Sequence, residues 1–467
     1  MNREKERYLF ENSPVIRAII SLALPSVFGQ IILVIYNMAD TYFVGLTNSD
    51  VKLTAVTVCM PAFMFLSAIA NLFGIGGASV VSRMLGGGKR DEAKMASSFA
   101  FWGCVFTAAV YSLGTFLFAD RFLDLLGGGD ELVHPLAKEY LLIVVAAGGI
   151  VTATNTLLSH LIRAEGRSLQ ASLGIVIGGL FNIALDPIFM FVILSRGNEV
   201  LGAALATMLS NVITLIYYTV FILSHRHGLI LSIKPRSGMF KNGIPRDVIS
   251  IGIPACLMTL CENISYAVLE KLMYAHGMAS QAGIGVAKKV NMLAHSVVRG
   301  MAQGVLPLIG YNYASGNRTR MRKVVRLSAA TSLAISLLCM GAGLLFSHPL
   351  IGIFIQAENA SHAYGASFLR ILCIGAPFSA WAYTVISFFQ ATGHMEKSLV
   401  LALLRKGILD IPLMFVLDRF FGRYGLVSAT PIADIVCSAT AAIQFFVFLA
   451  RHGHDKFDFE NYVPQDV

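Results

Sequence analysis

Apolar runs of roughly 20 residues, separated by short polar stretches, recur from near residue 16 to near residue 450. A helix rises about 1.5 Å per residue, so each run can cross a hydrocarbon layer about 30 Å thick. The pattern predicts about twelve transmembrane helices, near 16–45, 52–82, 95–119, 136–162, 168–195, 201–224, 247–276, 280–311, 325–347, 362–391, 397–418 and 425–450. Polar segments cover residues 1–15 and 451–467, and the longest polar connection, at 225–246, falls between the sixth and seventh spans. That seam divides the chain into lobes at 16–224 and 247–450, six spans each.

Composition narrows the class. Hydrophobic residues make up 56% of the chain and charged residues 13%, with a mean hydropathy of +0.68. A soluble protein of this length could not hide so much apolar surface, so the expected fold class is an all-α polytopic membrane protein. The first residues, MNREKERYLF, are too polar for a secretory signal, and the first span is expected to stay in the mature protein.

The net charge of +9 does not point to nucleic acid, because the basic residues crowd into short loops on one side. Arg3, Lys5, Arg7, Lys89, Arg90, Lys94, Arg236, Lys241, Arg246, Arg318, Arg320, Arg322 and Lys323 all fall there. This distribution suits anionic lipid headgroups and places both termini in the cytoplasm, as an even number of spans also requires. The seven cysteines sit in apolar surroundings without paired spacing, so neither a zinc site nor a disulfide framework is indicated.

The lobes repeat. Pro25 pairs with Pro254, Gly88 with Gly316, Ala164 and Gly166 with Ala391 and Gly393, and Ala206-Thr207 with Ala429-Thr430, at an offset of about 223–229 residues. With six spans per copy, both copies enter the membrane in the same direction, as in transporters whose halves rock about a central site.

The candidate chemistry begins in LALPSVFGQIILVIYNMADTYFVG, where Asp40 lies deep in the first span, one turn after Tyr36. An ionisable group at that depth is costly and usually binds or carries something. Pro25 removes a backbone donor and allows this helix to bend. Asn182 and Asp186 share a face of the fifth span, Ala203 and Thr207 a face of the sixth, and Asn155 lies on the fourth. Carboxylates, amides and a hydroxyl are hard oxygen ligands suited to Na⁺, with Asp40, Asn182, Asp186 and Thr207 as the ligands. They suit a proton equally, because two close carboxylates cannot both ionise cheaply. The plainer reading makes each polar group a helix-packing hydrogen bond.

In the second lobe, Glu262, Tyr266 and Glu270 recur on the seventh span, and Lys288, Asn291, His295 and Arg299 form a stripe on the eighth. Glu262, Tyr266, Lys288, His295 and Arg299 either line a substrate cavity or neutralise one another, for instance Glu262 with Lys288. Lys406 and Asp410, four apart, can pair within one helix. LGGGKRD lacks phosphate-loop spacing, and GIGGASV within a span reads as close helix packing.

Taken together, ALPSVFGQIILVIYNMADTYFVG, GGASVVSRMLGGGKRDEA, LIRAEG, NIALDPIF, GAALAT and GVLPLIGYNYASGNRTRMRK resemble the multidrug and toxic compound extrusion (MATE) transporters over about residues 14 to 450. GYNYASGN looks most like the bacterial DinF-type branch. The resemblance implies two six-helix lobes forming a V-shaped cleft, and Na⁺- or H⁺-coupled export. It implies a cation site at Asp40, Asn182, Asp186, Ala203 and Thr207, supported by Pro25, Tyr36 and Asn155. Glu262 matches one member of an acidic pair in NorM-type relatives, whereas the tenth-span position is Ser379.

The function expected is therefore a secondary active efflux antiporter of the bacterial cytoplasmic membrane, not an enzyme. It would export amphipathic small molecules in exchange for H⁺ or Na⁺, without another cofactor, as a monomer among membrane lipids and without nucleic acid. The alternative is a flippase for a lipid-linked glycan or another amphipathic anion.

Overall fold

The computed structural model describes residues 3–47, 49–194, 197–226 and 228–451. The last residue of the expected fifth span, residue 227 of the linker and nearly all of the 451–467 tail lie outside them. Every regular element among the described residues is helical. Eight helices are long and apolar enough to cross a membrane, and two bent pairs, Val133–Ala147 with Gly149–Ala164 and Ala360–Ile374 with Ala376–Thr392, bring the candidates to ten.

The two spans beyond those ten have physical explanations. Met278–Ala314 is a 37-residue helix long enough to cross, but Lys288, Lys289, His295 and Arg299 dilute its hydropathy. The expected eleventh and twelfth spans form one 57-residue helical run, Met395–Arg451, which turns back at Gly422, where φ is 58°. The flanks of the bundle are lined by side chains no soluble protein would leave out, such as Phe106 and Leu338, exposed by 71% and 74%.

The repeat is visible in the backbone. Gly88 and Gly316 close the second and eighth spans with φ of 76° and 75°, and Gly166 and Gly393 follow the fourth and tenth with φ of 85° each. These are left-handed turns that a Cβ would strain. Short helices, Ala119–Leu126 and Ser347–Gly352, follow the third and ninth spans, and the bent pairs break at Gly148 and Gly375.

The lobes meet through crossed partners. The first span packs against the fifth and the eighth, and the seventh against the second. Backbones nearly touch there: a Cβ at Gly252 would lie 1.8 Å from the Leu72 carbonyl oxygen, and one at Gly304 would lie 2.5 Å from the Ala23 Cα. A shared apolar core of Ile19, Leu22, Ala23, Val27, Ala255, Val305 and Ile309 seals this half. These contacts sit on the side of the inter-lobe linker, called here the linker face.

Two further elements cover that face. The helix Arg3–Glu11 stacks Phe10 on Tyr311 at 4.8 Å, and Arg320 and Asn312 donate to the Phe10 carbonyl. On its other flank Phe10 approaches Gly166 of the N-lobe. The linker is held on the N-lobe by Glu165, whose carboxylate accepts from the Ile230 and Leu231 amides at 3.0 and 2.5 Å. Trp102 adds an indole bond to the Ile233 carbonyl.

Candidate functional site

The first span runs as one helix from Val15 to Gly45 through Pro25, and it carries Asp40 into the N-lobe interior. Gly179 on the fifth span gives it room, since a Cβ there would lie 2.8 Å from Ile32 and 3.2 Å from Tyr36. Asp186 is fully buried and lies close enough to Asp40 for their charges to act on each other. Tyr36 and Tyr140 fall within the same electrostatic reach. Pro187 follows Asp186 and withdraws a backbone donor, and the helix widens into a π-type stretch, Ile188–Ile193.

The Asn182 amide donates to Asp186 at 3.3 Å and to the Thr207 hydroxyl at 3.4 Å. Asn155 donates to the Asn211 carbonyl at 2.8 Å, and Asn211 in turn donates to the Thr207 carbonyl at 3.0 Å. Within this polar set, and among the described residues, four buried oxygens are left without a hydrogen-bond partner: Asp40 Oδ1, Asn155 Oδ1, Asn182 Oδ1 and Asp186 Oδ2. Buried acceptors are almost always satisfied, so three spans contributing such oxygens to one lobe fit a small hard cation or a proton. Ala203 is fully buried on the sixth span and contributes close packing.

The C-lobe is organised in the opposite sense, because its buried carboxylates Asp410 and Asp434, and Glu262 beside them, are each paired with a cation. Arg405 and Asp434, each 1% exposed, pair at 2.7 Å. Lys406 and Asp410 pair at 2.9 Å, and Asp410 also accepts from Ser265 and Thr430. Arg299 bonds Glu262 at 2.7 Å and Tyr383 at 3.3 Å. Arg405 also donates to Ser379 at 2.9 Å, and Ser379 contacts His295 at 3.3 Å. A guanidinium thus stands against the tenth-span serine. Lys288 lies 5.0 Å above the Tyr266 ring.

Between the lobes a small cavity is lined by Asn71, His160 and Arg163 on one side and Glu262, Arg299 and Gln390 on the other. Its walls are tied by Asn71 to Thr259 at 3.0 Å and by Ser79 to the Gln390 carbonyl at 2.5 Å. Gln30 reaches Gln303 at 3.2 Å.

Comparison with known proteins decides the family. The MatE family model matches residues 25–188 and 254–416, one copy in each lobe and most of the chain. The chain belongs to the MatE family. A relative over nearly the whole length is the multidrug export protein MepA of Staphylococcus aureus (strain NCTC 8325 / PS 47), 27% identical over 452 residues, 96% of this chain and 97% of MepA. MepA of Staphylococcus saprophyticus is 26% identical over 458 residues, 97% of this chain and 98% of that one. The fold matches a multidrug resistance MATE family transporter in an outward-facing conformation, with a TM-score of 0.88 at 23% identity, covering 96% of this chain and 98% of that one. This MatE protein is accordingly an efflux transporter of the membrane, not an enzyme.

Within this MatE chain the residues singled out from sequence separate into three places. Asp40, Tyr36, Asn155, Asn182, Asp186, Ala203 and Thr207 gather in the N-lobe. Glu262 and Arg299 reach the inter-lobe cavity, whereas Tyr266, Lys288 and His295 stay within the C-lobe. Glu262 pairs with Arg299, not Lys288: both cations lie on the eighth span, but Arg299 comes within 2.7 Å of the carboxylate whereas Lys288 sits over Tyr266, one turn further along the seventh span. Sequence reading passed over Asn211, Tyr140, Arg163 and Gln390. Asn211 had a signal, four residues after Thr207, while the other three become visible only where helices meet.

Proposed function

We propose that this protein exports amphipathic small molecules, drugs among them, across the bacterial cytoplasmic membrane in exchange for H⁺ or Na⁺ bound at Asp40 and Asp186. The observation that carries this reading is the set of unpartnered oxygens on Asp40, Asn155, Asn182 and Asp186. The MepA relatives support drugs as the substrate class. The finer placement in the DinF-type branch rests on GYNYASGN alone, and drug export does not depend on it. Both termini are assigned to the cytoplasm by the basic loops, and the unit is taken as a monomer among lipids.

In the proposed cycle, a cation from outside loads the paired carboxylates and removes their repulsion. The hydrogen bonds around Asn182 and Thr207 then reorganise, and the first span moves about Pro25. Only a ligand that prefers one state can drive such a change, and an ion shared by two carboxylates meets that condition. A lipid-linked glycan or other anion flippase is the second reading, and the cation-rich C-lobe favours it.

Proteoliposomes under an imposed pH or Na⁺ gradient, with ethidium as substrate, test the exporter. Gradient-driven ethidium movement that falls to background in Asp40→Asn is the expected outcome, and the effective gradient names the ion. Full transport by well-folded Asp40→Asn would rule out the N-lobe as the coupling site.

A further inference from the structure

Arg163 is 2% exposed near the end of the fourth span. Its Nε donates to the Ser26 hydroxyl at 2.9 Å, and its Nη1 meets His160 Nδ1 at 3.4 Å. Its Nη2 has no partner, and among the described residues no carboxylate forms an ion pair with it. A guanidinium buried without a counter-charge is costly, and proteins usually neutralise one.

Opposite it, on the tenth span, Gln390 is 4% exposed and its Nε2 is also unpartnered. Arg163 and Gln390 line the same inter-lobe cavity. Its two guanidiniums, Arg163 and Arg299, face one carboxylate, Glu262, which Arg299 already engages. Arg163 and Gln390, each with an unsatisfied donor, line one space, and its only carboxylate is already engaged. Guanidinium and amide donors in that arrangement are matched by a carboxylate or phosphate oxygen. The cavity measures about 60 Å³. Drug-sized pockets run to ~300–1,000 Å³. The space therefore suits a head group, not a whole drug.

We propose that the inter-lobe cavity binds the anionic head group of an amphipathic molecule, carboxylate or phosphate, through Arg163 and Gln390. The inference rests on the export reading only for the direction in which such a molecule moves.

The test is equilibrium fluorescence binding to the full chain in nanodiscs, with 11-(dansylamino)undecanoic acid, its methyl ester, and a fluorescent lysophosphatidate. The acid is expected to bind about tenfold or more tightly than the ester. Arg163→Gln should remove that preference and Gln390→Leu should reduce it several-fold, in line with charge-assisted bonds. Preference for the acid over the lysophosphatidate supports a free amphiphile as ligand, and the reverse supports a lipid head group. Both uphold the anion site. Equal binding of acid and ester by the unaltered protein overturns it, and needs no variant to fold. Ethidium movement without acid selectivity keeps the exporter and discards the anion site. Arg163-dependent acid selectivity without gradient-driven movement does the opposite.

Discussion

Asp434 and Asp40 are similarly buried, at 1% and 6% exposure, in opposite surroundings. Asp434 holds Arg405, so Asp434→Asn strands a buried guanidinium and should destabilise the protein by about 3–5 kcal/mol. Asp40 has no ion-pair partner among the described residues and leaves Oδ1 unsatisfied. Asp40→Asn should therefore be neutral or stabilising while abolishing transport, the trade expected where function keeps a costly group. Thermal unfolding of the two purified variants checks the contrast: a large fall in Tm for Asp434→Asn, none for Asp40→Asn. Glu262→Gln should fall between them, because its pair with Arg299 faces the cavity with side chains 31% and 37% exposed.

At the scale of elements, the paired glycines set how spans turn. Nothing lies within 4 Å of a Cβ built on Gly88 or Gly316, so alanine there meets only the backbone penalty of positive φ. Each substitution should cost about 1–2 kcal/mol, equally in the two lobes. Gly393 differs only in that its Cβ would lie 2.5 Å from the Arg83 guanidinium. That contact is with the end of a flexible side chain that can swing aside, so Gly393→Ala should lower Tm by about as much as Gly316→Ala does. Gly252 has a different part, because its missing side chain lets the seventh span lie against the second.

At the scale of the molecule, closure of the linker face is a property of both lobes together. Phe10 lies between Gly166 of one lobe and Tyr311 of the other, so the helix Arg3–Glu11 bridges them. Phe10→Ala removes that bridge, and Gly252→Ala forces the seventh span off the Leu72 carbonyl. Both should shift the population toward an opened linker face. A cysteine at Ala255, fully buried here, should then react faster with a polar thiol reagent applied from that side, in a background lacking the seven native cysteines. An unchanged labelling rate would show that neither contact controls closure.

The helical class was legible in the chain, and the proposed six-plus-six division and N-lobe polar set were read from it in the same local terms. Spans follow from runs of apolar residues, the repeat from Gly and Pro at a constant offset, and the shared faces of Asn182 with Asp186 and Ala203 with Thr207 from helical periodicity. The charged helix Met278–Ala314 and the continuous run through Gly422, where the apolar signal is mixed, follow from the same pattern at 280–311, 397–418 and 425–450. What only the tertiary structure decided is which charges are paired. Lys406 with Asp410 could be read within one helix, but Glu262 with Arg299, Arg405 with Asp434, and the unpaired states of Asp40 and Arg163 depend on how separate helices pack. The reason is physical: a buried charge is neutralised by whichever group packing brings within a few ångströms, and that distance is set by the crossing of helices.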